Sequence, residues 1–246
     1  MKKDELLKNI EKYWTNRAEG YSQVNLEELA GEKWPVWLSV IEEHMPKVER
    51  KGIRILDIGT GPGFFSIILS RAGYQVTAID YTEEMLKKAK NNAGILADKI
   101  EWYQMDAQAL RFADNTFDMI VSRNVTWNLE HPDRAYYEWM RVLKPGGVLL
   151  NFDANYGMSD FTDVADLPEN HAHQEIGDEM MRECEEIKRQ LPISSYSRPA
   201  WDLETLGAMK LQKFQVDLGI SSRIYVEKDE FYNPVPIFTL CGKKEG

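Results

Sequence analysis

The sequence predicts a doubly wound α/β domain built on a mostly parallel, seven-stranded sheet. Short apolar runs alternate with amphipathic segments between residues 53 and 153, and two more strand-like segments close the chain. A glycine-rich loop follows the first apolar run, and an acidic residue ends the second. This alternation favours a parallel sheet covered by helices on both faces, in which ligands bind beyond the carboxyl ends of the strands.

Each element of this core has its own sequence signal. The strand-like segments, in chain order, are IRILDI (53–58), YQVTAID, KIEWYQMDA, FDMIVSRN (117–124), VLLNFD (148–153), KFQVDLGI and PIFTLCGK. Helices are expected in FFSIILSRAG, in EEMLKKAKNNAGILA, which Thr82 can cap, and in WDLETLGAMK. A further helix opens at Pro132, with His131 in its cap, and carries apolar residues at helical spacing as far as Leu143.

Composition and charge exclude several classes of protein. The chain has 246 residues, of which 43% are hydrophobic, so wholesale disorder and a small disulfide scaffold are excluded. A net charge of −10 argues against a nucleic-acid partner, because such proteins need a basic surface. Cys184 and Cys241 lie far apart and predict unpaired thiols. No apolar stretch has the length of a membrane span, and the charged N-terminus lacks a signal-peptide core. A cytoplasmic protein is expected.

The acidic charge is concentrated in one part of the chain. Residues 151–200 contain eleven acidic and four basic side chains. We therefore expect an acidic insertion after the fifth strand, which acts as a lid or an interface. The predicted organisation is a single domain, with a helical N-terminal lid (1–50), a ligand-binding core (51–153), the insertion (154–200), and a closing helix and strands (201–246). The oligomeric state stays open, with a homodimer as one option.

The glycine loop predicts the kind of ligand. It reads Asp57-Ile-Gly59-Thr-Gly61-Pro-Gly63 and joins a strand to a helix, where glycines allow a ligand to approach the backbone. Asp80 ends the next strand, and a carboxylate there can accept both hydroxyls of a ribose. Phe64 stands where a dinucleotide fingerprint needs Gly or Ala. Because the Asp57 anion is unfavourable for a pyrophosphate and suits an ammonium group, the loop favours an adenosine ligand with a cationic amino-acid part.

These segments resemble a known family. ILDIGTGPG, AID ending at Asp80, MDA (105–107), FDMIVSRN and LKPGGVLLNFD together resemble the class I S-adenosylmethionine-dependent methyltransferases, in particular the small-molecule, UbiE-like group of methyltransferase type 11. The resemblance is strong over about 53–153. It implies a Rossmann-like fold, S-adenosylmethionine as the cofactor with S-adenosylhomocysteine as the product, and a small-molecule acceptor.

The resemblance also implies roles for individual residues. The glycine loop would pass under the cofactor, Asp57 would lie near its amino group, Asp80 would hold the ribose, and Asp106 and Ala107 would recognise the adenine. The full set of expected cofactor contacts is Tyr21, Asp57, Gly59, Thr60, Gly61, Gly63, Asp80, Tyr81, Met85, Asp106, Ala107, Arg123 and Asn124. Tyr21 belongs to the expected N-terminal lid. Met85 has the alternative of being a core residue.

The acceptor site is less well specified. Trp127, Trp201 and Tyr225 are candidate wall residues, with Arg198 beside them, although Trp127 would serve equally as a hydrophobic plug. His171 and His173 are expected to be a solvent-exposed pair, and no metal site is predicted. Asp178 and Glu179 are expected on a solvated helix face. The sulfonium methyl is already activated, so no general base follows from the motifs. The catalytic residues and the methylated atom stay unknown.

Three other functions compete with methylation of a small molecule. A non-catalytic or regulatory S-adenosylmethionine-binding protein would use the same pocket without positioning an acceptor. A nucleic-acid methyltransferase would need a basic surface, and the fourth strand ends in SRNV, not in an NPPY-type sequence. Phe64 and the absence of a Tyr-xxx-Lys pair argue against a nicotinamide-dependent oxidoreductase.

Overall fold

The computed structural model describes residues 3–47, 50–163, 167–168, 171 and 176–246. The helices are α1 (Lys3–Ala30), α2 (Lys33–Glu43), α3 (Phe64–Arg71), α4 (Glu83–Ala93), α5 (Pro132–Val142), α6 (Asp178–Gln190), α7 (Ala200–Gly207) and α8 (Ile220–Ile224). The strands are β1 (Arg54–Ile58), β2 (Gln75–Asp80), β3 (Ile100–Gln104), β4 (Phe117–Arg123), β5 (Leu143–Ala154), β6 (Leu211–Asp217) and β7 (Ile237–Lys244).

All seven strands form one sheet, as the sequence predicts. Their order is β3-β2-β1-β4-β5-β7-β6. The first five strands are parallel to one another, and β7 runs antiparallel to both β5 and β6. The order reverses between β1 and β4, which is where a doubly wound sheet opens a crevice for ligands. The observed β5 begins at Leu143 and so includes the KPGG segment that predicts a break.

Strand alternation divides the core into two layers. Ile55 packs in a cluster with α1, α2 and α3, whereas its neighbour Leu56 packs with α5 on the opposite face of the sheet. Successive side chains of a strand point to opposite faces, so a continuous apolar run such as β1 must be covered on both sides. Trp37 of α2 and Trp139 of α5 are fully buried in these two layers.

Helix α1 lies across the top of this core. It packs mainly on α4 and also contacts α6 of the acidic segment. Polar contacts fasten its middle to α4: Lys88 pairs with Glu19, and Ser22 donates to Asn92 over 3.2 Å. No described helix is both long enough and apolar enough to cross a bilayer. The boundaries assigned to the lid, core and insertion stay predictions.

Several local predictions are corrected by the structure. His171 is not exposed: its side chain is buried, and Nε2 lies 2.6 Å from the Tyr232 carbonyl oxygen. His173 falls outside the described residues. Thr82 and His131 occupy the N-cap positions of α4 and α5, but neither side chain makes a capping hydrogen bond. The two cysteines are free, as predicted.

Candidate functional site

A cleft opens at the carboxyl edge of the sheet, where the strand order predicts a ligand site. The space between its walls, counted together with the open mouth, is about 820 Å³. The lining comes from the ends of β3, β2, β1 and β4 and from one side of α1. The lining residues are Leu7, Ile10, Trp14, Tyr21, Gly59, Gly61, Asp80, Tyr81, Thr82, Met85, Met105, Asp106, Ala107, Gln108, Arg123, Asn124, Val125, Asn128, Leu129 and Glu130.

Two glycines bring the backbone to the floor of the cleft. Gly59 and Gly61 have φ values of +63° and +53°, a region that side chains with a Cβ avoid. A Cβ on Gly59 would stand 2.3 Å from Cγ2 of Val125, in the loop after β4. A Cβ on Gly61 would meet the Tyr21 ring of α1 at 3.5 Å. The glycines therefore allow three segments to converge on one cleft.

Replacing Gly59 with Ala is expected to destabilise the protein by about 2–4 kcal/mol, because backbone strain adds to a steric clash. Gly73→Ala is the matched control, since Gly73 has a φ of +90° but open space at its Cβ position. The control substitution should therefore lower the free energy of unfolding by about 1 kcal/mol, because only backbone strain is added. Urea denaturation of the two variants would measure the difference. Equal losses would show that the contact with Val125 is relieved without cost.

The position of Gly63 differs from the one that was predicted. It does not line the cleft, and a Cβ there would meet Ala89 of α4 at 3.1 Å. Its φ of +95° turns the chain into α3. The requirement for glycine at this position therefore comes from close packing between helices, whereas the prediction assigned Gly63 to ligand contact.

Asp80 stands at the centre of the cleft. Its Oδ2 accepts the backbone N–H of Gly61 over 2.9 Å, and its Oδ1 accepts the N–H of Thr82 over 2.8 Å. The Thr82 side chain also interacts with this carboxylate. Because a carboxylate has about four lone-pair positions, it keeps acceptor capacity for a ligand. Burial raises the pKa of Asp80 to about 6, against the effect of those two N–H groups. The carboxylate is thus held rigidly and is mostly ionised at neutral pH.

A smaller polar cavity adjoins the cleft beneath Tyr21. Asp57 lines it and is fully enclosed, with its Oδ2 accepting hydrogen bonds from Thr60 over 2.7 Å and from Ser66 over 2.6 Å. Burial raises the pKa of Asp57, and the two hydroxyl donors partly offset that effect. Asn25 of α1 also lines this cavity. The cavity can therefore receive a charged polar group next to a buried carboxylate.

Arg123 lines both cavities and is held by a residue that sequence reasoning missed. Its guanidinium makes a bidentate pair with Glu28 of α1, at 3.0 and 2.9 Å. Burial acts to lower the pKa of Arg123, but Glu28 outweighs it and the pKa is raised. Trp37 also donates its Nε1–H to Glu28 over 2.9 Å. The pair fastens the end of α1 to the end of β4, although 95 positions separate its two members.

The remaining predicted cofactor residues are at the far end of the cleft. Tyr81 and Met85 line it, and Met85 is at the same time 2% exposed, so the two interpretations of this residue agree. Asp106 and Ala107 follow β3. Asp106 Oδ1 accepts the backbone N–H of Gln108 over 2.8 Å, which fixes the turn. This end of the cleft therefore offers a ligand the apolar surfaces of Tyr81 and Met85 together with polar groups of the turn at Asp106.

The residues proposed for the acceptor wall lie outside the cleft lining. Trp127 is buried, donates its Nε1–H to the Asn124 carbonyl oxygen over 2.9 Å, and packs on Tyr156 and Phe161. Trp201 stacks on Tyr196 with ring centroids 5.0 Å apart. Trp127 is therefore a plug, and Trp201 belongs to the packing behind β5.

The other two acceptor candidates, Tyr225 and Arg198, contact charged residues outside the cleft lining. Tyr225 lies beside Lys33, whose Nζ is 5.6 Å from the ring centroid. Arg198 is buried between two carboxylates, with Nη1 3.2 Å from Asp153 and Nη2 2.8 Å from Asp202. Neither Tyr225 nor Arg198 reaches the cleft lining. The assignment of these side chains to an acceptor wall stays a prediction.

One wall of the cleft comes from the segment that was predicted to be an N-terminal lid. Leu7, Ile10, Trp14 and Tyr21 of α1 all line it. Their intervals of three, four and seven residues place them on one face of the helix, and this periodicity could have been read from the sequence. Helix α1 therefore closes the cleft with an apolar face, and of these four residues only Tyr21 was foreseen.

The charge of the two cavities favours a cationic ligand. Four carboxylates line them, from Asp57, Asp80, Asp106 and Glu130. Arg123 is the sole basic residue in these linings, and Glu28 already neutralises it. Fields of one sign in a cleft attract the opposite charge and repel like charge. A pyrophosphate would meet repulsion here, whereas a ligand with a net positive charge would be stabilised. No cluster of three metal-ligating side chains occurs among the described residues.

Known sequences are similar to the part of the chain that forms this cleft. A family model described as a methyltransferase domain matches residues 56–151, which include the glycine loop and the ends of β2 and β4. A ubiquinone/menaquinone biosynthesis C-methyltransferase, UbiE, from Roseobacter denitrificans is 42% identical over 105 residues, covering 41% of this chain and 42% of the relative. UbiE from Pseudomonas putida is 33% identical over 183 residues, covering 72% of this chain and 68% of the relative.

Solved structures share the fold at low identity. A structure from Methanococcus maripaludis, named as a candidate S-adenosyl-L-methionine-dependent methyltransferase, has a TM-score of 0.61. It is 22% identical, and the match covers 94% of each chain. The resemblance extends the agreement beyond the core to the N-terminal helices and the closing strands, and at this identity it concerns the fold alone.

Proposed function

Because this chain belongs to the UbiE-like group of class I S-adenosylmethionine-dependent methyltransferases, we propose that it transfers the methyl group of that cofactor to a small molecule. The observation that carries the proposal is the charge of the site. Four carboxylates and one neutralised guanidinium surround the two cavities. S-adenosylmethionine has a net positive charge, so it suits this lining better than a nicotinamide dinucleotide does.

The described residues fit each part of the cofactor. The Asp80 carboxylate would accept the ribose hydroxyls, and the bare backbone of Gly59 and Gly61 lets the ligand lie against the loop. Tyr81 and Met85 offer apolar surface to the adenine, next to Asp106. Asp57 lines the adjoining polar cavity, where it would balance the ammonium group of the methionine part. This assignment follows the strand order from β3 to β4.

The chemistry asks the protein mainly for alignment. The cofactor supplies a methyl group on a sulfonium, which a nucleophile attacks in line as the sulfur leaves with the bonding electrons. The chain must hold the two reactants in contact and exclude water. The apolar face of α1, with Leu7, Ile10 and Trp14, shields the cleft from solvent. Asn124 and Val125, at the end of β4, would border the reacting groups.

The curated relatives suggest the class of acceptor. They are named for C-methylation in ubiquinone and menaquinone biosynthesis. Carbon becomes a nucleophile of sufficient strength when an adjacent hydroxyl is ionised, as in a phenolate or an enolate. We therefore propose an acceptor with an acidic hydroxyl next to the methylated carbon. The apolar wall from α1 is suited to such a planar molecule.

Calorimetric titration with S-adenosylhomocysteine, with NAD as the control ligand, tests the cofactor assignment. Micromolar binding of the first and no binding of NAD are expected. A second assay would follow the transfer of labelled methyl from S-adenosylmethionine to a panel of phenols and enols. Preference for NAD would contradict the proposal. Cofactor binding without turnover on any acceptor would favour a regulatory binding protein.

The affinity for S-adenosylhomocysteine is expected to decrease as the pH falls below about 6. Burial raises the pKa of Asp80 to about 6, so protonation below that value removes the charge that accepts the ribose hydroxyls. Above it the ionised form predominates and the affinity should level off. Titrations over roughly pH 5 to 8 would measure this, with thermal melting at each pH as the control for folding. A constant affinity over that range would show that binding of the ribose hydroxyls does not depend on the charge of Asp80.

A further inference from the structure

Asn124 stands in an unusual conformation at the end of β4. It has a φ of +57°, a region that few residues other than glycine adopt and that asparagine tolerates best. Non-glycine residues held in this region tend to occur at functional sites, where the surrounding structure imposes the strain. Asn124 lines the cleft beside Gly59 and Val125. Its side chain is therefore placed at the β4 end of the site, where the methyl donor and the acceptor would meet.

Three of the four polar groups of Asn124 are already engaged. Its backbone N–H donates to the Phe152 carbonyl oxygen over 2.8 Å, and its own carbonyl oxygen accepts the Trp127 Nε1–H. Its Oδ1 accepts the Tyr156 hydroxyl over 3.0 Å. The amide Nδ2 has no acceptor among the described residues, and it is not one of the buried unpartnered atoms. Nδ2 is therefore an unengaged, partly accessible donor on a residue that lines the cleft.

A hydrogen-bond chain determines which way this amide faces. Asn233 Nδ2 donates to the Tyr156 hydroxyl over 2.7 Å, so that hydroxyl must use its own proton toward Asn124 Oδ1. A reversed Asn124 amide would place two donors against each other. Burial raises the pKa of Tyr156 well above its ordinary value, so the phenol keeps its proton. The Tyr156 ring is fixed by packing on Trp127 and Phe161.

We propose that Tyr156 and Asn233 are positioning residues that hold the Asn124 amide with its N–H₂ directed at the oxygen of an ionised acceptor. This inference rests on the proposed function and deepens it, since it assigns the group that would recognise the acceptor's oxyanion. A neutral amide donor suits this task, because it stabilises the negative oxygen without adding a cation that would repel the sulfonium. The Tyr156 hydroxyl itself does not touch the acceptor.

The experiment uses 4-nitrophenol as the probe, because its anion absorbs visible light and its neutral form does not. Protein saturated with S-adenosylhomocysteine is titrated with the probe, and the bound fraction that is ionised is read from the absorbance. The carboxylates of the two cavities oppose an anion, so a preference for the phenolate requires a direct hydrogen bond to its oxygen. Wild type should bind the phenolate about tenfold more tightly than the phenol, because one charge-assisted hydrogen bond from the Asn124 amide outweighs that repulsion. In Tyr156→Phe and in Asn233→Ala this preference should fall to about twofold or less, while the affinity for S-adenosylhomocysteine changes by less than about twofold.

Two further variants complete the test. Asn124→Asp keeps the shape and tolerates the backbone conformation, and it should reverse the preference because a carboxylate faces the phenolate. Tyr137→Phe is the matched control, since Tyr137 is 65% exposed. An unchanged phenolate preference in Tyr156→Phe would overturn the proposal, as would wild type that binds S-adenosylhomocysteine but shows no preference. A loss of S-adenosylhomocysteine affinity in Tyr156→Phe would instead assign the amide to the cofactor. Failure of wild type to bind S-adenosylhomocysteine would count against the proposed function itself.

Discussion

Asp80→Ala is expected to weaken S-adenosylhomocysteine binding by roughly 100-fold to 1,000-fold, the equivalent of two hydrogen bonds to a charged group. The carboxylate already accepts the N–H groups of Gly61 and Thr82, so it cannot rotate away from the cleft. The variant would lose both ribose contacts and would also release the glycine loop from β2. Calorimetric titration of both proteins would measure the loss.

The control for this prediction is Asp133→Ala, which removes an exposed carboxylate from the first turn of α5. It should leave the affinity unchanged, which would separate the loss of one particular carboxylate from a change in net charge. Circular dichroism would show whether Asp80→Ala retains the fold. An Asp80→Ala protein that is folded and binds with the affinity of wild type would contradict the assignment of the ribose site.

Arg198→Met is expected to lower the free energy of unfolding by about 3–5 kcal/mol, because it leaves two carboxylates buried without their cation. The guanidinium is 1% exposed and lies between Asp153 and Asp202, whose side chains are fully buried. It also donates to Thr126 Oγ1 over 2.7 Å. For a chain of this length, the loss corresponds to a decrease in Tm of roughly 10 °C.

The loss should also depend on pH. Burial raises the pKa of Asp153 even with Arg198 present, and removing the cation would raise it further. The difference between variant and wild type should therefore shrink as the pH falls and the carboxylates take up protons. Arg189→Met is the control, since its side chain is 69% exposed and such pairs contribute at most about 1 kcal/mol. Similar losses in the two variants, measured by urea denaturation, would show that the Arg198 cluster is not needed for stability.

Much of the site was predictable because its signals are local. Gly59, Gly61 and Asp80 follow directly after strands, and the order of the parallel strands places their ends at one edge. The backbone conformation of a glycine loop depends on the glycines themselves. Such features need no knowledge of which helix packs on which.

Gly63 and the aromatic residues Trp127 and Trp201 lie outside the cleft lining, and the sequence could not show this because their surroundings depend on distant elements. A glycine that a ligand requires and a glycine that a neighbouring helix requires look the same in a sequence. Gly63 meets Ala89, a contact that exists only after α4 has packed on α3. Trp127 and Trp201 are likewise apolar side chains whose burial depends on distant elements. The apolar wall of the cleft comes from α1.

The sequence alone determined the seven-stranded sheet, the glycine loop and the acidic residue that ends β2, because hydrophobic period, turn residues and strand order are properties of short segments. Packing in three dimensions pairs Glu28 with Arg123 and joins Asp153 to Asp202 through Arg198. It also links Asn124 to Asn233 through the Tyr156 hydroxyl, and no sequence signal predicts these contacts. The reason is physical: burying a charge or an amide requires a partner, and the partner is selected by the packing of elements that are far apart in the chain.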